Sequence, residues 1–226
     1  MGETPGSPTV SMKLQSIATQ AKRYPEMVFD TVFHLIAREF LREASRRTRK
    51  NSAPGVDKVT AKQYAENLDD NRRDLHERLR DNRYVAPPVE RVWIEQEGGK
   101  KRPRGNPCFE DKIVQRAVVM SLEAIFDQDL QECAHGFRKG HSPHQALHAL
   151  REQGRKLNIN WIVDADGSGF FDTLEHGHLR ACIKQRVNDG GILRLIGKWL
   201  KAGVREAGTR TYPDKGTPQG GMAAPI

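Results

Sequence analysis

Cysteine is scarce in this 226-residue chain, and its three copies, Cys108, Cys133 and Cys182, stand far apart with no CxxC pair. An odd, scattered set excludes a disulfide framework and a cysteine-rich zinc site, and suits a reducing compartment. The expected location is therefore cytoplasmic. Long apolar runs are missing too, so no membrane partner is expected. The opening residues, MGETPGSPTVSMKLQ, lack the apolar stretch of a signal peptide. Aromatic residues make up only 7%, too few for base-stacking platforms to be a main theme. Acid is in deficit: 37 Lys and Arg face 29 Asp and Glu, for a net charge of +8. A pI near 9.5 with mean hydropathy −0.70 favours a polyanionic partner, because phosphate contacts release condensed counterions.

Residues 1–11 read as a disordered lead. A helical pattern opens at Pro25, with Val28, Phe29, Val32, Phe33, Leu35, Ile36, Phe40 and Leu41 as its apolar stripe. It runs into Arg46, Arg47, Arg49 and Lys50. That basic end is either a solvated helix terminus or a patch that contacts phosphates. Pro54-Gly55 marks a turn, and Thr60 with Gln63 forms a capping box for the next helix. Val89 to Glu95 reads as a strand, Glu97 to Gly99 as a turn, and Lys100 to Pro107 as a basic return strand carrying Lys100, Lys101, Arg102 and Arg104. Helices follow over 109–126, from Ser142-Pro143 to a cap at Gly154, and over 176–187 and 191–202. A hairpin is expected through Ala207-Gly208. Helices mixed with a few strands define an α+β chain.

The segment from Ile159 to Val163 reads as an apolar strand that delivers Asp164, Asp166 and, further on, Asp172. Carboxylates at a strand end offer the hard oxygen ligands that Mg²⁺ prefers and shares with substrate phosphates. Paired metals stabilise the attacking and leaving oxygens of phosphoryl transfer. Three solvated loop acids are the plainer alternative. The phosphatases of the haloacid-dehalogenase type also use DxD, but near the start of the chain and with Thr or Val where Gly167 stands. Glycosyltransferase DxD motifs have no place for Phe170-Phe171-Asp172.

Several ordered motifs carry a family resemblance. They are Ser52-Ala-Pro-Gly-Val-Asp57, Tyr84 through Pro88, Arg102-Pro103 with Gly105 and Pro107, and the run from Phe109 to Ala117. His135-Gly-Phe-Arg138 through Ser142, Phe170-Phe-Asp172 with His176, and Gly216-Thr-Pro-Gln-Gly-Gly221 complete the series. In this order the chain, from about Lys13 onward, resembles the N-terminal part of bacterial group II intron reverse transcriptases, or maturases.

The resemblance implies a right-hand polymerase fold, helix-rich with a small antiparallel sheet. Residues 12–108 would be the N-terminal extension and fingers, and 109–226 the rest of the fingers and part of the palm. Asp166 would be the first catalytic, metal-binding aspartate, with the Gly167 carbonyl beside the same Mg²⁺. Arg102 would grip the triphosphate of the incoming dNTP, with Lys100 in support; Phe171 would lie under its sugar and Gln219 would contact it. Arg46, Arg47, Arg49, Lys50, Lys101 and Arg104 would bind RNA. The partners implied are group II intron RNA, an RNA template with a DNA primer, and dNTPs. The chain departs from the family at Glu95-Gln96, usually Pro-Lys; at Asn106, usually Ile; and at Gly167-Ser168, usually Ile followed by Lys or Arg. The Tyr-Ala-Asp-Asp segment, thumb and maturase domain would come after residue 226, so these residues by themselves are expected not to polymerise DNA. A non-catalytic RNA-binding splicing cofactor and a retron or CRISPR-associated reverse transcriptase are the alternatives.

Overall fold

The computed structural model describes residues 9–95, 97–99, 101–167 and 169–217. Lys100 and Gln219 lie outside the described residues. The core forms around α5 (Phe109–Phe126), whose Ile113, Val114, Ala117, Val118, Leu122 and Ile125 are all buried. A helix apolar on nearly every side has to be enclosed. The helices α1 (Val10–Arg23), α2 (Arg38–Arg47) and α3 (Ala61–Glu66) pack against it, and α4 (Leu68–Arg80) packs against α2.

Two N-terminal expectations are corrected. The Thr9 hydroxyl accepts the Met12 N–H and starts α1 at Val10, inside the segment read as a disordered lead. The helix expected from Pro25 does not form until Arg38; before it the chain is irregular, with one 3-10 turn at Phe33–Leu35. Tertiary partners claim the backbone there. One Asp189 carboxylate oxygen accepts the N–H groups of Val32 and Phe33 at 2.5 and 2.7 Å. Phe29 donates to the Arg186 carbonyl and accepts from Asn188 at 2.8 and 2.9 Å. Apolar spacing suggested a helix, but donors satisfied by a distant segment do not need one. The capping box forms as read: the Thr60 hydroxyl accepts from Gln63, and the Gln63 side chain accepts from Thr60.

The strands β1 (Val89–Glu95), β2 (Lys101–Asn106), β3 (Val204–Glu206) and β4 (Thr209–Thr211) make one sheet in the order β2-β1-β3-β4. Both hairpins are antiparallel, but β1 and β3 run parallel, Val89 opposite Val204. The sheet is thus mixed, not antiparallel, because a long helical crossover returns the chain beside β1 in the same direction.

After α5, Ser142 caps α6 (Pro143–Lys156) by accepting the Gln145 N–H. Gly154 sits inside α6 instead of capping it. The strand expected at 159–163 is absent. These residues are irregular and exposed, Trp161 and Val163 each at 89%. A strand needs a neighbour for its backbone groups, and none of the four described strands pairs with this segment. The chain then forms α7 (Phe170–Thr173), α8 (His176–Lys184) and α9 (Gly190–Lys201).

Candidate active site

Two segments that lie 40 residues apart in sequence are fastened together at α7. Thr217 donates its N–H to the Phe171 carbonyl at 2.8 Å, and Gly216 donates to the Leu174 carbonyl at 2.8 Å. The His176 Nε2 lies 2.8 Å from the Gly216 carbonyl oxygen. A carbonyl only accepts, so this nitrogen carries the proton. The Lys215 ammonium meets the Glu175 carboxylate at 3.0 Å. A Cβ on Gly216 would stand 2.7 Å from the Asp172 carbonyl oxygen and 2.8 Å from that of Phe171, and its φ of +81° is left-handed. Glycine is required here for both reasons.

This fastening forms one wall of a cavity of about 320 Å³. Asp172, Lys215 and Thr217 line that side; Arg91, Pro103 and Gly105 of the β1–β2 hairpin line the other. Arg91 stands opposite Gly105 in the ladder and pairs with Glu206 at 3.4 Å. Trp93 donates its indole N–H to the same carboxyl at 2.6 Å. Neither Arg91 nor Lys215 stood out in the sequence. Lys215 has a signal in retrospect, one residue before the Gly216 motif; Arg91 has none, since only the sheet register places it.

The expected site residues fall as follows. Phe171 is half-exposed and meets Phe170 edge-on, ring centroids 5.5 Å apart. Arg102 and Arg104 are exposed on β2 and alternate with the cavity-lining Pro103 and Gly105. Lys101 lies opposite Glu95 at the end of the hairpin. Asp166 and Gly167 lie on the irregular segment before α7, where the Gly167 carbonyl accepts the Phe170 N–H at 3.4 Å. Asp166 is exposed and does not line the cavity.

A carboxylate beside a carbonyl has the right donor chemistry for Mg²⁺. The ligand number is short, however. Among the described residues no three His, Cys, Asp or Glu side chains gather into a group that could hold a metal ion.

The basic end of α2 is already engaged. Glu43 accepts from Arg46 at 2.8 Å and from Arg47 at 2.7 Å. Those bonds, chiefly the one from Arg46, hold its carboxyl down at about 2. Lys50 donates to the Ser45 carbonyl and lies over the Phe109 ring. Arg49 is exposed.

Two further motifs act as joints. A Cβ on Gly55 would stand 2.5 Å from the Cys108 nitrogen, so the turn at 52–57 can pack against the start of α5 only with glycine. The Lys112 ammonium reaches back to the Ala53 carbonyl at 2.6 Å and the Ser52 hydroxyl at 3.1 Å. Arg138 donates to the carbonyls of Asp127 and Gln131, both at 3.2 Å, and leaves Phe137 84% exposed.

Comparison with known proteins adds a second line of evidence. Residues 94–226 match the family described as reverse transcriptase (RNA-dependent DNA polymerase). The chain is 32% identical to Protein YkfC of Escherichia coli K12 over 224 residues, covering 96% of this chain and 59% of that protein. It is 39% identical to the group II intron-encoded protein LtrA of Lactococcus lactis over 150 residues, 66% of this chain and 24% of LtrA. A nuclear intron maturase of Arabidopsis thaliana is 26% identical over 148 residues, 62% of this chain and 20% of the maturase. The chain thus spans about three fifths of the first relative's length and a quarter or less of the other two.

Proposed function

Because the chain belongs to the reverse transcriptase family, we propose that it is part of an RNA-directed DNA polymerase of the group II intron kind, which also binds intron RNA for splicing and retrohoming. The observation that carries the reading is the cavity between the β1–β2 hairpin and the Phe171–Thr217 fastening. It joins residues of three separate family motifs, around Pro103, Asp172 and Gly216.

In this reading residues before about 109 are fingers and N-terminal extension, and the rest begins the palm. A dNTP docks at the hairpin beside the cavity. Its triphosphate meets Arg102, with Lys100 in support, because a planar guanidinium binds phosphate oxygens bidentately. The half-exposed Phe171 ring supports the sugar and leaves no room for a 2′-hydroxyl, and Gln219 contacts the nucleotide. Arg91 and Lys215 add positive potential inside the cavity, each tempered by its carboxylate partner. Asp166 and the Gly167 carbonyl would contribute two of the oxygen ligands to Mg²⁺ and leave the rest to residues outside this set. That ion would supply charge stabilisation for a primer 3′-hydroxyl attacking the α-phosphate. The residues of the chain contribute mainly position, which in such reactions is worth several orders of magnitude in rate.

The test is primer extension by this chain joined to the remaining palm and thumb of a group II intron relative. Asp166→Ala should abolish extension, whereas Phe171→Ala should admit ribonucleotides. Extension that survives Asp166→Ala, or unchanged sugar discrimination in Phe171→Ala, overturns the assignment. RNA binding without any extension by the unmutated protein would favour a non-catalytic splicing cofactor.

A further inference from the structure

Helix α9 is divided between two chemistries. Ile192, Leu193, Leu195 and Ile196 are buried, while Arg194, Lys198 and Lys201 recur at i, i+4 and i+7 on one face, spanning about 10 Å of helix. Neither α8 nor α9 contains an acidic residue. A groove of about 690 Å³ runs along this stripe, lined also by Arg83, Arg180 and Arg210, with no carboxylate in its lining. It shares no lining residue with the cavity at α7. Arg180 crosses from α8 to Gly197, where even a Cβ would come within 3.3 Å of its guanidinium.

Structural duties account for only some of these cations. Lys198 donates to the carbonyls of Tyr84 at 2.6 Å and Asn82 at 3.2 Å. Arg210 donates to the Ala202 carbonyl at 2.7 Å, and Arg83 pairs with Asp81 at 3.2 Å. Charge at a helix C-terminus explains Lys198 and Lys201 on their own. It does not explain why Arg180 and Arg194 converge on them. Among the described residues no hydrogen bond or ion pair holds Arg180, Arg194 or Lys201. Burial lowers the Lys198 ammonium, and Arg194 nearby lowers it further, as expected where cations crowd without counter-charge.

We infer that the α8–α9 groove is a docking site for the phosphate backbone of RNA, separate from the polymerase site. Arg194 and Lys201, about 10 Å apart along α9, with Arg180 reaching Gly197 between them, suit successive phosphates of one strand. Its one aromatic ring, Tyr84, is buried under Lys198, so no exposed ring is offered for base stacking and binding is independent of sequence. Family membership selects nucleic acid among polyanions; the placement of Asp166 plays no part.

The test uses the 226-residue protein and an RNA hairpin of arbitrary sequence, without nucleotides, titrated at several salt concentrations. The triple variant Arg180→Ala, Arg194→Ala, Lys201→Ala should bind about tenfold more weakly at 150 mM salt. Its log–log salt slope should be shallower by about 2, since each lost phosphate contact removes roughly 0.7 to 0.9. These side chains are unpartnered, so circular dichroism should report an intact fold. If it does not, the single variants Arg194→Gln and Lys201→Gln replace it and should each lower the slope by roughly 0.7 to 0.9, an unchanged slope in both overturning the proposal. Unchanged affinity and slope in the folded triple variant overturn the proposal. So does loss of binding to phosphatidylserine vesicles while RNA binding is retained. Lys22→Ala, at an exposed cation of α1 outside both the groove and the cavity, should bind the hairpin normally, and because no nucleotide is present the result is separate from any failure of the polymerase reading.

Discussion

His176 donates from Nε2 to the carbonyl of Gly216 across 2.8 Å, joining the start of α8 to a loop 40 residues later. The same loop bonds to Phe171 and Leu174, so one wall of the cavity depends on Gly216 staying free of a side chain.

Gly216→Ala should therefore disturb the site more than the fold. The added methyl meets two carbonyl oxygens at under 3 Å, at a left-handed φ. The expected cost is about 1–3 kcal/mol of local strain, with the core around α5 untouched. Hydrogen exchange should show faster exchange at the Thr217 and Gly216 amides and unchanged protection at Ile113 to Val118. Equal protection throughout would refute the fastening.

Asp111 gives the molecule a pH dependence with a definite sign. It is buried and accepts from the Tyr84 hydroxyl, from the Trp199 indole at 2.8 Å and from Gln115 at 2.7 Å. Burial pushes its carboxyl up to about 6, and the three hydrogen bonds pull it back only partly. An unfolded Asp loses its proton near pH 4, so between about 4 and 6 the folded state holds more protons. Stability contributed by this group falls as pH rises through that window. Asp111→Asn should flatten urea-unfolding midpoints between pH 4 and 7. Asp111→Ala should cost roughly 2–4 kcal/mol, because Tyr84 and Trp199 lose a buried partner.

Asp189 accepts four backbone N–H groups. One oxygen takes Gly191 and Ile192 at the start of α9, and the other takes Val32 and Phe33. Asp189→Ala should destabilise the protein by about 2–4 kcal/mol, as the sum of a lost helix cap and two orphaned tertiary donors. Asp189→Asn should recover part of that, since its single oxygen can serve one side. Equal chemical-denaturation midpoints for the two variants would contradict the shared role.

Glu43 holds Arg46 and Arg47 away from any external phosphate. If the end of α2 contacts RNA, Glu43→Gln should raise hairpin affinity severalfold and steepen the salt dependence, and Ala at Arg46, Arg47 and Arg49 should reverse both. A basic end that is merely solvated predicts no change in either isotherm.

Local chemistry made much of the fold legible. The Thr60–Gln63 capping box, the helix from Phe109 to Phe126, the Ser142-Pro143 start and the Ala207-Gly208 turn follow from residues within a few positions of one another. The motifs around Gly216 and Phe171 could be read as parts of one site, but not that they bond directly. The segments that depart from their local pattern answer to distant partners. The stretch from Phe29 to Phe33 has the spacing of a helix, and Asp189 with residues 186–188 claims its backbone instead. Ile159 to Val163 has the composition of a strand, and no described strand stands beside it to complete its hydrogen bonds.

The sequence by itself determined the α+β class, the basic charge and the order of motifs that carries the family, because each is fixed by residue type and short spacing. Only the tertiary structure decided which cations face a cavity. Arg91 lines one through its register opposite Gly105, whereas Arg180 joins the stripe on α9 because Gly197 lets it approach. Register and helix packing set those neighbours, and both depend on contacts between segments too far apart for any local pattern to report.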